Sequence, residues 1–384
     1  ATDIKVTGIS KFTQDNAKRL EEKYKSIDGV ANATRVMRIN GGMGSISNEI
    51  LAIDPVDFTN SAWFREDFSG GESQRILKRL EVPLNDKALF IPENSTTLGM
   101  WTKPSRKFNN LFLLAVLQGS EGKTRTISLG ALNHSDWNSM RAEIPQTLAH
   151  PVELLSIQIH EPGIAKNSKA KRTPGNIYLD RVFVINDSNE ETIIDEMETA
   201  RWSPIPTTVI APDYVEITEE EAYSGKSSTK YKFGVFANLD VRGIYVNNIA
   251  SGSVPVIASK YFDSLNEYNL NQGFYGKVSG RLTPLVVIDT IDYFPTLYPE
   301  KTMFLIGNIN HLSRYLNIMS RLENIEASEV YIDTDTSTEM ETVTLIKNIS
   351  PRGVSVTEIT STLNEIKSGN IHLTGWRLLS ITSV

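Results

Sequence analysis

The chain has 384 residues, 39 Lys and Arg against 46 Asp and Glu, a formal net charge of −7 and no cysteine. At about 150 residues per domain, this length predicts two to three domains with a core large enough to fold without disulfides. The acidic balance speaks against nucleic acid as a partner, and five Trp, 13 Tyr and 14 Phe speak against a disordered chain. Without cysteine there is no disulfide, no thiolate-held metal and no thiol nucleophile.

Ile4 to Ile9 alternates apolar and polar residues as a half-buried strand does, and Thr13 precedes a helical stretch over 14–27 that closes at Asp28-Gly29. Strands are expected over 30–39 and 46–53 around the Gly41-Gly42-Met43-Gly44 turn, and Asp54-Pro55 starts a short helix through Trp63. One helix over 72–80 follows, and the texture then changes to apolar strands parted by polar turns. The clearest lie at 98–102, 111–118, 124–129, 152–160 and 177–185, the spacing of a β-sandwich. The stretch 166–175 reads as a loop. Helical signals return at Ser259, expected to cap a helix through Leu265. Strands are expected over 275–278, 285–290, 303–306, 329–333 and 354–356, and helices over 308–319, 340–349 and 357–366.

The outer segments thus share a mixed texture that the middle lacks. The expected class is α+β: a discontinuous α+β domain over 1–72 and 243–384, interrupted by an all-β sandwich over 73–242. No run reaches about 18 apolar residues and no signal-peptide layout opens the chain. The apolar stretch Ile371 to Val384 reads in two ways, as the approach to a membrane helix or as a final element docked on the core.

Chemistry is sparse. His134, His150, His160, His311 and His372 have no second His at helical spacing, and Gly225-Lys226-Ser227 has Glu220 where a phosphate-binding loop needs Gly. Asp333-Thr334-Asp335 lacks the Gly and the closing Glu of a calcium loop. Asp289 and Asp292 read as solvated turn residues rather than an acid–base pair. The expectation is therefore a non-enzymatic protein with no catalytic residue, no cofactor and no metal.

Three passages resemble the extracytoplasmic region of FtsX-like, MacB-type ABC transporter permeases. These are Lys25-Ser26-Ile27-Asp28-Gly29-Val30-Ala31, the run from Ile50 to Phe58 with Trp63-Phe64-Arg65 after it, and Ile288-Asp289-Thr290-Ile291-Asp292-Tyr293-Phe294-Pro295-Thr296-Leu297. Asp28 stands where the family usually has Pro, and Thr290 where it commonly has Gly. The resemblance implies a MacB-periplasmic-like domain on the outer side of the cell membrane, with both ends entering the bilayer side by side. It further implies its own transmembrane helices and a cytoplasmic ATPase subunit as partners, and action as a pair. Its substrate or extracytoplasmic partner is not named by the resemblance.

The middle segment is similar to galactose-binding-like jelly rolls in Asn176-Ile177-Tyr178-Leu179-Asp180-Arg181-Val182, in Ile194 to Glu198 with Trp202, and in Ala222 to Ser228 with Tyr231 and Phe233. Their order implies a circularly permuted module. Such modules hold sugars on aromatic platforms or a structural calcium through an early Glu and a late Asp, here Glu198 and Asp180. The resemblance makes Trp101, Trp137 and Trp202 the platform candidates, with core packing as their other duty. A carbohydrate- or cell-wall-binding protein is the alternative reading.

Overall fold

A computed structural model describes residues 3–10, 12–61, 73–82, 88–163, 172–209, 212–236, 241–247, 252–265, 267–297, 303–319, 324–335 and 339–358. The first segment supplies β1 (Ile4–Thr7), α1 (Ala17–Lys25), β2 (Val30–Met43), β3 (Ile46–Ile53), α2 (Pro55–Ser61) and α3 (Ser73–Lys78). The middle holds β4 (Leu89–Ile91), β5 (Ser95–Pro104), β6 (Phe112–Gln118), β7 (Thr124–Ala131), β8 (Asn138–Glu143) and β9 (Val152–His160). It continues with β10 (Gly175–Asn186), β11 (Glu191–Asp195), β12 (Trp202–Pro204), β13 (Tyr214–Thr218), β14 (Ser228–Phe233) and β15 (Arg242–Val246). The last segment adds β16 (Val254–Ser259), β17 (Gly273–Val278), β18 (Arg281–Ile291), β19 (Met303–Asn308), α4 (Ile309–Ile318), β20 (Glu329–Thr334), α5 (Glu339–Ile349) and β21 (Ser355–Glu358).

The outer strands form a nine-stranded sheet in the order β17-β18-β16-β19-β3-β2-β20-β1-β21. The sheet curls on itself. One edge of the 14-residue β2 pairs with β20 over its first half and, further along, with β17 through Lys277↔Gly42 and Val278↔Gly41. The two-residue period of a strand divides its side chains between two cores. Ile50, Ala52, Met303, Leu305, Val330 and Ile332 face one, where α1, α4 and α5 pack. Leu51, Ile53, Phe304, Ile306 and Tyr331 face the other, under α2 and α3. Because both faces are covered, β3 and β19 are apolar at consecutive positions rather than alternately polar.

The middle strands form two six-stranded sheets that share one apolar core. One runs β13-β14-β10-β5-β8 with β11 on β10, the other β12-β15-β9-β6-β7 with β4 on β9. Leu98, Met100 and Leu179 of the first meet Leu113, Leu154 and Ile157 of the second. The seam between sandwich and curled sheet is also buried. Ser156 Oγ and Gln158 Nε2 both donate to the Ile318 carbonyl, at 2.9 and 2.7 Å. Arg314 pairs with Glu153, and the Tyr245 ring stands edge-on to Tyr315 at 5.6 Å.

This architecture corrects the expected fold class. Strands account for 48% of the structure and helices for 15%, so the chain is mostly β rather than α+β. The reason is length: the five helices span 6 to 11 residues and serve as lids on sheets that carry the fold. Two expected helices fail for related reasons. Lys260 to Ser264 is a single 3-10 turn, with Ser259 making no side-chain cap. Thr357 and Glu358 belong to β21, because β1 offers them a pairing partner. The remainder of that expected helix, the apolar stretch from Ile371, Trp63 and most of the 166–175 loop lie outside the described residues.

Candidate functional site

The outer face of the sheet containing β5 and β10 carries a cluster of aromatic rings and charged side chains. In β5, Leu98 and Met100 point into the core, so Trp101 and Lys103 alternate to register with Asp180 and Tyr178 of β10. The segment from Glu219 to Ser228, between β13 and β14, folds over this face. Glu221 accepts from Lys103 at 2.7 Å, and Glu220 accepts from Tyr178 at 3.1 Å and from Lys230 at 2.7 Å. The two bonded donors hold the Glu220 carboxyl below its ordinary range.

Tyr223, at the crest of that turn, stacks on Trp101 with centroids 3.7 Å apart and planes 12° from parallel. Trp137 stands beside them, its ring 6.0 Å from Tyr223 and tilted by 57°. The result is an aromatic corner: Tyr223, 39% exposed, forms one wall and Trp137 the other, with Trp101 as backing. Aromatic faces of this kind take ligands that present C–H groups or positive charge.

The turn is anchored by two carboxylates. Asp180, fully buried, accepts the Tyr223 and Ser224 N–H groups on Oδ2 at 2.7 and 3.2 Å, and its Oδ1 has no hydrogen-bond partner. Burial pushes its pKa up against the pull of those N–H groups. Glu198 accepts the Lys226 N–H at 2.9 Å, and Gly225, at φ +68°, lies so close that a Cβ there would meet the Glu198 carboxylate.

Of the three Trp candidates, the structure brings together Trp101 and Trp137. Trp202 is elsewhere: it is 5% exposed in the sandwich core, and its Nε1 donates to Asp195 at 3.0 Å. It is a core residue rather than part of a platform. Tyr223 is the ring that sequence reasoning missed, since a lone aromatic in a polar turn carries no periodic signal. Asp180 and Glu198 do not fit a calcium site, which needs six to eight oxygen ligands. Each is engaged by backbone N–H donors, and no group of three or more His, Cys, Asp or Glu is set to hold a metal among the described residues. Asp289 and Asp292 are divided between separate partners, Arg79 at 2.5 Å and Lys260 at 2.7 Å, and so share no cleft.

No family model, curated protein or solved structure matches this chain.

Proposed function

We propose that this chain is the extracytoplasmic part of an FtsX-like ABC transporter permease, a stiff element that passes motion between a membrane and a partner outside it and performs no bond chemistry itself. The observation that supports this best is the pairing of the two outermost described strands. β1 and β21 lie antiparallel with Ile4 opposite Glu358, so the first and last described strands are neighbours at the same edge of the curled sheet. A domain hung from two neighbouring membrane helices needs that arrangement. The buried seam, with two hydrogen bonds converging on Ile318, carries the sandwich as a rigid extension of the sheet. No helix among the described residues is long and apolar enough to cross a membrane.

The test exploits the absence of cysteine from these 384 residues, with any cysteine elsewhere in the parent chain replaced by serine. In the full-length parent chain, expressed in its own cells, Glu190→Cys in the exposed turn after β10 is expected to react with a membrane-impermeant maleimide while the cells are intact. Labelling only after lysis overturns the proposal.

A second reading, glycan binding by the sandwich, is favoured by the Tyr223–Trp137 corner. A sugar at a hundredfold excess over its Kd adds about 2.7 kcal/mol of stability. That gain is expected to vanish in Tyr223→Ala and Trp137→Ala; flat melting curves across a glycan panel dismiss this reading.

A further inference from the structure

Two adjoining cavities follow the seam between the curled sheet and the sandwich. The first has a volume of about 580 Å³, the second about 810 Å³, and they share Asn16, Glu121 and Glu326. One wall of the first is α4, whose Asn310, Ser313, Arg314 and Asn317 fall on one face while Leu312 and Leu316 enter the core on the other. The opposite wall belongs to the sandwich, where Phe90 of β4 is 55% exposed at the rim. A cleft of this size between two packed bodies is the usual place for a ligand.

Its charge runs against that of the chain. Arg19 pairs with Glu121 at 2.7 Å, Arg314 with Glu153, and Arg35 lies 3.6 Å from Glu21. Lys18, Lys123 and Arg125 then remain on the lining with no carboxylate at ion-pair distance among the described residues, against one unpaired acid, Glu326. Arg19 first, then Lys123 and Lys18, hold the Glu121 carboxyl below its ordinary range, as a positive local potential requires. The amides add direction. Asn16 and Asn310 each use Oδ1, accepting from the Arg19 N–H and the Arg35 guanidinium, and keep their Nδ2 donors. Gln118 gives Nε2 to the Gly122 carbonyl and keeps its own oxygen. Donors and an acceptor of amide type are what a peptide backbone pairs with.

The geometry points to this seam cleft as the docking site for an extended acidic segment of a partner protein. The segment's carboxylates meet Lys18, Lys123 and Arg125, and one of its apolar side chains packs against Phe90. This inference is independent of membrane attachment and is tested on the chain in solution. The probe is a fluorescein-labelled octapeptide of alternating glutamate and leucine, followed by anisotropy at low salt. Saturable binding is expected, weakened about tenfold or more by Lys123→Glu with Arg125→Glu, by Phe90→Ala, and by added salt. All three altered side chains are on the cleft surface, and unchanged melting temperatures verify folding. Three results overturn the inference: no binding, equal binding of the lysine–leucine counterpart, or affinity unchanged in both variants. Heparin displacing the peptide and binding Phe90→Ala as tightly as the parent chain reassigns the cleft to anionic glycans and overturns it as well.

Discussion

At the scale of the residue, the most exacting environment in the sandwich is that of Arg242. Only 2% exposed, it pairs with Glu161 at 3.0 Å and donates to the Thr173 and Gly234 carbonyls at 2.7 and 3.0 Å. Arg242→Ala leaves the Glu161 carboxylate with only its two Thr173 hydrogen bonds and is expected to cost about 3 kcal/mol in urea unfolding, with Glu161→Gln costing less. Gly225→Ala places a Cβ within 1.8 Å of Glu198 Oε1 at a positive φ. The strained φ and the displaced Glu198 carboxylate, which loses its bond to the Lys226 N–H, are expected to cost about 1–3 kcal/mol and to weaken the Trp101–Tyr223 near-ultraviolet dichroism. Asp333 gives a pH signature. Burial, then the neighbouring Asp3, raises its pKa to about 6, so folding favours its protonated form. Its contribution is complete below about pH 4 and lost as pH rises through about 6. Asp333→Asn is therefore expected to raise the melting temperature at pH 8 and to leave it unchanged near pH 4. The gain stays below about 1 kcal/mol because solvent screens so accessible a group. The jelly-roll resemblance drew attention to Ala222 to Ser228 and to Trp101 and Trp137, which the structure brings together with Tyr223. It could not orient Trp202, since a three-residue strand is too short to show which side faces the core.

At the scale of the element, α1 starts where Asn16 accepts the Arg19 N–H at 3.0 Å, three residues after the Thr13 that the sequence favoured as its boundary. Asn16→Ala removes that cap and is expected to cost about 1 kcal/mol, read as faster hydrogen exchange in the first turn of the helix. Strands were the legible elements, because β6, β9 and β10 each carry long apolar runs bounded by polar turns. Two features escaped. The end of β21 is one: a strand was expected over 354–356, but Thr357 and Glu358, expected to open a helix, continue it because they pair with Lys5 and Ile4 of β1. The curling of the sheet depends on β2 changing partners along its length, from β20 to β17, which no local pattern records. The helices in the outer segments were mostly visible; that they cap a dominant sheet was not, because periodicity reports the type of an element and not its share of the fold.

At the scale of the whole molecule, sandwich and curled sheet are joined through packing rather than by a hinge. Val116, Leu155 and Tyr245 of the sandwich enter the same apolar cluster as Leu312 and Tyr315 of α4. Interfaces between domains that move are smaller and more polar. The chain is expected to unfold in one cooperative thermal transition; Gln158→Ala, which removes one of the two donors to Ile318, is expected to lower its midpoint without splitting it. If the chain is the motion-passing element proposed above, force applied at the paired end strands reaches the sandwich undiminished. A double spin-label measurement, Glu190→Cys on the sandwich and Glu341→Cys on α5, tests this in the full-length chain in lipid nanodiscs, together with the cytoplasmic ATPase that the proposed function calls for. One narrow distance, the same before and after ATP is added, is expected. A broad or two-peaked distribution, or a distance that changes with ATP, contradicts it.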